Sequence, residues 1–221
     1  MLNIFQACSN LASVTIPDGV TSIGRSAFEN CSSVDGFTIP QTVDTIGAYA
    51  FFNCKGVLNV NCDIQDASYF DGPFAGSRFS LINIGNGVTS IGEAVFRNCS
   101  SVVGVTLPET IANIGISAFE GCRKLTNITC FAVVPPVIHE STFENKTYNY
   151  ANLFIPENTK EVYQAATGWE RFLLISDELP NGIQKVTNEK LSKIYDINGH
   201  ELKTLQHGIN IVDGRKVLIS D

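Results

Sequence analysis

The chain has 221 residues, 44% of them apolar, with a formal net charge of −7 and a pI near 5.0. That is enough apolar material for a sizeable core, and the acidic balance offers no basic face for nucleic acid. No apolar run reaches the roughly 18 residues of a membrane helix, and MLNIFQACSN lacks the basic start and apolar stretch of a secretory signal.

The phrase VTIPDGVTSIGRSAFENC, Val14 to Cys31, is one unit of a repeat, and GVTSIG returns at Gly87–Gly92. Phenylalanine keeps time through the array: Phe5, Phe28, Phe51, Phe74, Phe96 and Phe119 stand 23 residues apart, with one step of 22. A fixed period in this range marks a solenoid. Within the unit, Val14-Thr15-Ile16 alternates apolar, polar, apolar, as a half-buried strand does. Its counterparts at the same repeat spacing are Phe37-Thr38-Ile39, Val60-Asn61-Cys62, Ile82-Asn83-Ile84, Val105-Thr106-Leu107 and Ile128-Thr129-Cys130. Six stacked parallel strands are expected, with Thr15, Thr38, Asn61, Asn83, Thr106 and Thr129 forming an outward polar ladder. Pro17, Pro40 and Pro108 close three of them, because proline has no N–H for a ladder.

A second apolar pair follows each strand: Val20 and Ile23, Val43 and Ile46, Val88 and Ile91, Ile111 and Ile114. Glycine comes next (Gly24, Gly47, Gly92, Gly115), then a short helical turn with its phenylalanine inward. Asn30, Asn53, Gly76, Asn98 or Gly121 ends that turn. Asn and Gly enter the left-handed region most readily, so positive φ is expected at each. Ala7 breaks this pattern and suggests a frayed first repeat.

Seven cysteines are present, and Cys8, Cys31, Cys54, Cys99 and Cys122 keep the repeat register. There is no CxxC, and the spacing is that of the repeat, so they read as small hydrophobes rather than metal ligands or disulfide partners.

The repeat at Asp63–Arg78, DIQDASYFDGPFAGSR, keeps only Phe74 and Gly76. By counting, Asp66 replaces Val20, Tyr69 replaces Ile23 and Phe70 falls on the glycine position. Tyr69, Phe70, Asp71, Arg78 and Phe79 gather aromatics and charge there, and loops on rigid scaffolds often carry function. These five are the candidate ligand-binding residues, set against a decayed repeat whose aromatics fill a gap. Asp63, Asp66 and Asp71 lack EF-hand spacing, so no metal site is expected.

The period stops after Cys130. Asn152–Ile155 reads as a strand, Asn158–Glu161 as a capping box opening a short helix through Tyr163 and Ala166, and Trp169 as core. Such a non-repeating unit suits a cap over the last apolar face. Residues 1–177 are therefore expected to form one solenoid, with repeats over 1–130 and a cap over 131–177. Residues 178–221 read as a small antiparallel β-module, with turns at Asn198-Gly199 and Asp213-Gly214.

No catalytic constellation stands out. His139-Glu140 opens like HExxH but lacks the second histidine, and GxSxG, P-loop and GxGxxG are missing. No enzyme activity, cofactor or metal is expected.

IPDGVTSIGRSAFENCSSV resembles the BspA-like family of bacterial leucine-rich repeats over residues 1–130, on Pro17, Ile23, Gly24, Ala27, Phe28 and Cys31. TCFAVVPPVI and LFIPENTKEVYQAATGWERF are similar to the cap of such arrays. IYDINGHELKTLQHGINIVDGRKVLI is similar to C-terminal modules of secreted proteins from Bacteroides-like bacteria. The resemblance implies a β-rich leucine-rich-repeat solenoid on a secreted or surface protein. Its implied partners are host extracellular-matrix or cell-surface proteins or glycans. A spacer or self-assembling surface element is the alternative. Met1 falls mid-repeat, at the position of Gly24, so upstream sequence with an export signal is expected, and the uncapped end is a candidate for self-association.

Overall fold

The computed structural model describes residues 5–177 throughout and, beyond them, five short strands. The chain divides into two compact units, Met1–Asp177 and Glu178–Asp221. The first is a parallel β-solenoid of about seven turns. Its main sheet has seven strands, Asp35–Ile39, Lys55–Val60, Arg78–Ile84, Gly104–Leu107, Asn127–Cys130, Asn152–Phe154 and Leu174–Ser176, each hydrogen-bonded to the next in parallel. The last two belong to the cap, which extends the ladder as well as covering it. Val14–Ile16 forms no strand, so Thr15 stands outside the ladder.

The register corrects one expected strand. Ile39 pairs with Val60, Val60 with Ile84, and Thr38 with Asn59. The third strand therefore carries Leu58-Asn59-Val60, and Asn61 lies past its end, where Pro40 and Pro108 stand in other turns. The cause is a shorter loop: six residues lead from Cys31 to Phe37, but four from Cys54 to Leu58. The outward ladder is Thr38, Asn59, Asn83, Thr106 and Thr129. Asn83 Nδ2 donates to Asn59 Oδ1 at 2.9 Å and Asn59 Nδ2 to Thr38 Oγ1 at 3.3 Å.

Inward, phenylalanine rings stack along the axis. Phe5, Phe28, Phe51, Phe74, Phe96, Phe119 and Phe143 follow with centroids 5.0–5.6 Å apart. Each such contact contributes about 0.5–1.5 kcal/mol beyond area burial. Phe143, Trp169 and Phe172 end the stack in the cap. Trp169 is fully buried and donates its indole N–H to Pro136 O at 2.7 Å, and Tyr163 OH donates to Ala132 O at 2.7 Å. The helix Lys160–Ala165 forms without the expected Asn158–Glu161 capping box: its N-cap is Thr159, whose hydroxyl donates back to Pro156 O at 2.6 Å.

The cysteines do more than fill space. Cys31, Cys54, Cys99 and Cys122 each donate from Sγ to a phenylalanine carbonyl one turn back (Phe5, Phe28, Phe74, Phe96), at 3.0–3.3 Å. Ser77 takes the slot in the irregular turn, 3.4 Å from Cys99 Sγ. All seven thiols are free. Burial pushes Cys54 and Cys99 up to about 12 and Cys130 up to about 11.

Positive φ occurs at Asn30, Asn53, Gly76, Asn98 and Gly121, between 60° and 78°. Ala7 adopts the same conformation at 63°, so the first turn keeps the regular backbone despite an unsuited residue. A second left-handed position, two residues before the phenylalanine, holds Ser26, Tyr49, Ala94 and Ser117 at 54–56°. The glycine ladder has a different cause. A Cβ on Gly47 would lie 2.4 Å from Arg25 N, and one on Gly115 would lie 2.5 Å from Glu93 N. Glycine is required there because consecutive turns touch backbone to backbone.

Among the described residues, no helix is long and apolar enough to cross a membrane. In the second unit, Arg215–Ile219, Gly208–Val212, Ile194–Tyr195 and Glu201–Leu202 are antiparallel neighbours. Gln184–Lys185 pairs in parallel with Arg215–Ile219, so this sheet is mixed rather than wholly antiparallel. Asn198-Gly199 and Asp213-Gly214 lie outside the described residues.

Candidate functional site

The irregular turn is rearranged, not decayed. Val60 to Ile64 is four residues, where Ile39 to Ile46 is seven. Ile64, not Tyr69, then takes the place of Ile46 and Ile91: Ile64 bridges to Ile91, and Gly92 N donates to Ile64 O at 2.8 Å. Gln65, not Phe70, occupies the glycine register, because the missing Cβ of Gly92 points at Gln65 C from 2.4 Å. Ten residues then lead from Ile64 to Phe74, where five lead from Ile23 to Phe28. The surplus forms an insertion over residues 66–73.

Opposite charges in neighbouring turns hold this insertion down. Arg97 and Glu120 each directly follow a stacked phenylalanine, one repeat apart, and their side chains meet at 3.2 Å. The Arg97 guanidinium lies 3.6 Å above the Tyr69 ring and donates to Tyr69 O at 3.0 Å. Tyr69 OH donates to Glu120 at 3.0 Å. Burial alone would raise the Glu120 carboxyl, but hydrogen bonds from Arg97, Ser117 and Tyr69 hold it below the usual range. Asp63 behaves similarly. Its burial is outweighed by bonds from Ser90 N, Thr89 N and Thr89 Oγ1, and its carboxyl is lowered.

The five sequence-selected residues separate into three places. Tyr69, Phe70 and Asp71 sit on the insertion. Phe70 is 78% exposed at its apex, edge-on to Tyr69 with centroids 5.2 Å apart. Asp71 faces Arg25 at 3.6 Å. Arg78 opens a strand of the main sheet and reaches Asn53 Oδ1 at 3.5 Å. Phe79 is fully buried among Phe37, Phe51 and Phe74, so it belongs to the core and not to a surface site. Counting along the chain misses Arg97 and Glu120. Their signal lies in opposite charges one repeat apart.

Beside the insertion lies a cleft of about 300 Å³, lined by Asp44, Ile46, Asp63, Gln65, Asp66 and Asp71 among others. A larger open basin of about 610 Å³ lies at the start of the cap. Several of its charged groups are engaged: Arg171 donates to Glu140 O and Asn145 Oδ1, Glu144 accepts from Gly121 N, and Lys146 donates to Arg123 O. His139 closes a local turn through Ser141 Oγ at 2.8 Å. Asp63, Asp66 and Asp71 do not converge, and among the described residues no three metal-binding side chains do.

No curated protein matches the chain. Solved structures of leucine-rich repeat proteins are among those similar to it. A leucine-rich repeat protein from T. pallidum is 23% identical over 79% of this chain and 72% of that one, with a TM-score of 0.43. One from Eubacterium ventriosum is 13% identical over 80% and 75%, with a TM-score of 0.24. The model of the BspA type leucine-rich repeat region, in six copies, matches residues 2–71 and 70–198. With its phenylalanine stack, glycine ladder and about 23-residue turns, the chain belongs to the BspA-type leucine-rich repeat family.

Proposed function

We propose that the protein is a non-catalytic binding or adhesion protein, secreted or displayed on a cell surface, which recognises protein or glycan partners. The insertion supports this reading most. It holds Phe70 exposed on a rigid scaffold, with its base pinned by Tyr69, Arg97 and Glu120. Immobilised aromatics of this kind are what binding hot spots use. Host extracellular-matrix proteins and cell-surface glycans are the partner classes to screen. Phe70→Ala is expected to weaken binding of a matrix or cell-surface ligand at least tenfold with the fold intact, and Arg78→Ala to weaken it less. A natively folded sample that binds nothing on a broad matrix-protein and glycan array would reject the proposal and leave the spacer reading.

A further inference from the structure

The short arm from Val60 to Ile64 leaves a strand edge open. At regular steps the second arm of each turn bonds to the next: Asp44 N donates to Thr21 O and Gly47 N to Ile23 O, both at 2.8 Å. Ala112 N to Thr89 O and Gly115 N to Ile91 O repeat this, also at 2.8 Å. The equivalent acceptors facing the irregular turn are Asp44 O and Ile46 O. Among the described residues neither receives a donor from that turn, and no ladder joins Thr45–Ile46 to Ile64. The main sheet stays closed at the same step, through Ile39 and Val60. The result is a wedge between two turns, open on one side, and it is the 300 Å³ cleft.

Asp44 directly precedes the two-residue strand Thr45–Ile46, and alternate carbonyls along extended backbone stand about 6.6 Å apart, the N–H spacing along one edge of an added strand. Unpaired edges of this kind accept added strands. Charge selects which strand. Four aspartates line the cleft, with Arg25 beside them. Asp63 is occupied by Thr89 and Ser90. The Asp44 carboxylate makes no hydrogen bond or ion pair among the described residues, and Asp66 uses only Oδ1, to accept from Glu93 N.

We propose that this cleft binds an extended peptide segment bearing Lys or Arg, which adds to the Asp44–Ile46 edge and places its cations against Asp44 and Asp66. The proposal rests on the binding-protein reading and narrows its partner to a protein with a basic, unstructured segment. The probe is a synthetic peptide of alternating Lys and Thr, titrated calorimetrically into the full chain. Two controls accompany it: a peptide with Glu for Lys, and the Lys–Thr peptide N-methylated at alternate amides in both registers.

Saturable binding of the Lys–Thr peptide is expected, with no binding of the Glu peptide and at least tenfold weaker binding after N-methylation in one register. Asp44→Asn with Asp66→Asn should also weaken it at least tenfold at an unchanged unfolding midpoint, since an amide side chain keeps an oxygen to accept from Glu93 N. Ser68→Trp, filling the cleft from its exposed wall, should abolish binding. The proposal is overturned by no saturable binding at millimolar peptide, or by equal binding of both N-methylated forms, which would show charge alone at work. Displacement of the peptide by calcium at constant ionic strength would overturn it in favour of a cation site. Loss of matrix-ligand binding in Phe70→Ala, together with no peptide binding to the parent chain, would overturn the cleft and leave the aromatic insertion standing alone.

Discussion

The regular turns and the irregular turn differ in what they hold constant. A regular turn keeps both arms in register, and its glycine lets the next backbone approach to contact. The irregular turn keeps only the main sheet and the phenylalanine stack. It loses two residues before its strand and three after it, then regains five before Phe74. The changes cancel, so Phe51 and Phe74 remain 23 residues apart while everything between them moves. The difference shows which contacts the array requires: the stacked rings and one closed sheet. The second arm is dispensable, and the chain released from it becomes the insertion and the cleft.

Glycine substitutions should test this contrast most strongly. Gly115→Ala forces a Cβ against the backbone of a regular turn held on both sides, and should cost about 3 kcal/mol as measured by urea unfolding. Gly92→Ala makes an equally close contact with Gln65, whose turn borders the cleft and can shift, so a clearly smaller loss is expected. Equal losses would mean that the irregular turn is as rigid as its neighbours.

Two aromatics near the irregular turn should part widely. Phe79→Ala is expected to cost about 3–4 kcal/mol as a core truncation, while Phe70→Ala should stay within about 0.5 kcal/mol. Similar costs would undo the assignment of Phe70 to the surface.

Alkali should act through the buried thiols, most of which stand in the regular turns. Cys54, Cys99 and Cys130 ionise above their unfolded value of 9.0. The stability they contribute is complete below pH 9 and is lost as pH rises toward 11–12. Each thiol then costs about 1.4 kcal/mol per pH unit over that window. The irregular turn carries Ser77 in this ladder, although burial pushes Cys62 on its short arm up to about 11, so Ser77→Cys should steepen the alkaline loss. An unfolding midpoint flat from about pH 8 to about pH 10.5 would contradict the buried thiol ladder.

Acid should act weakly, and on the irregular turn. Asp63 and Glu120 are held below their usual values of 3.8 and 4.5, so their contribution is present above those values and fades as pH falls below them. Solvent screening limits the effect to about 1 kcal/mol or less. Asp63→Asn should flatten the acid limb, and protection of the Thr89 and Ser90 amides from hydrogen exchange should fall with it.

The site is partly legible in the sequence. Asp63–Arg78 stands out because it breaks the phrase, and Tyr69 and Phe70 do lie together on the surface. Arg78 and Phe79 are their neighbours in sequence but not in space. A strand directs successive side chains to opposite faces, and Phe79 points inward. The partners that fix Tyr69 lie in the two following turns, visible only once the repeats are stacked.

By itself the sequence determined the period, the inward phenylalanines, the left-handed Asn and Gly positions and the identity of the repeat. Each of these recurs from turn to turn, so local residue chemistry is enough to read it. Only the tertiary structure decided that Asn59 rather than Asn61 joins the outward ladder, that Gln65 stands in the glycine register, and that one strand edge is left open. A solenoid aligns its turns by hydrogen bonds and ring contacts, not by residue number. Loops between fixed rungs can therefore shorten and lengthen in compensation while the period stays intact.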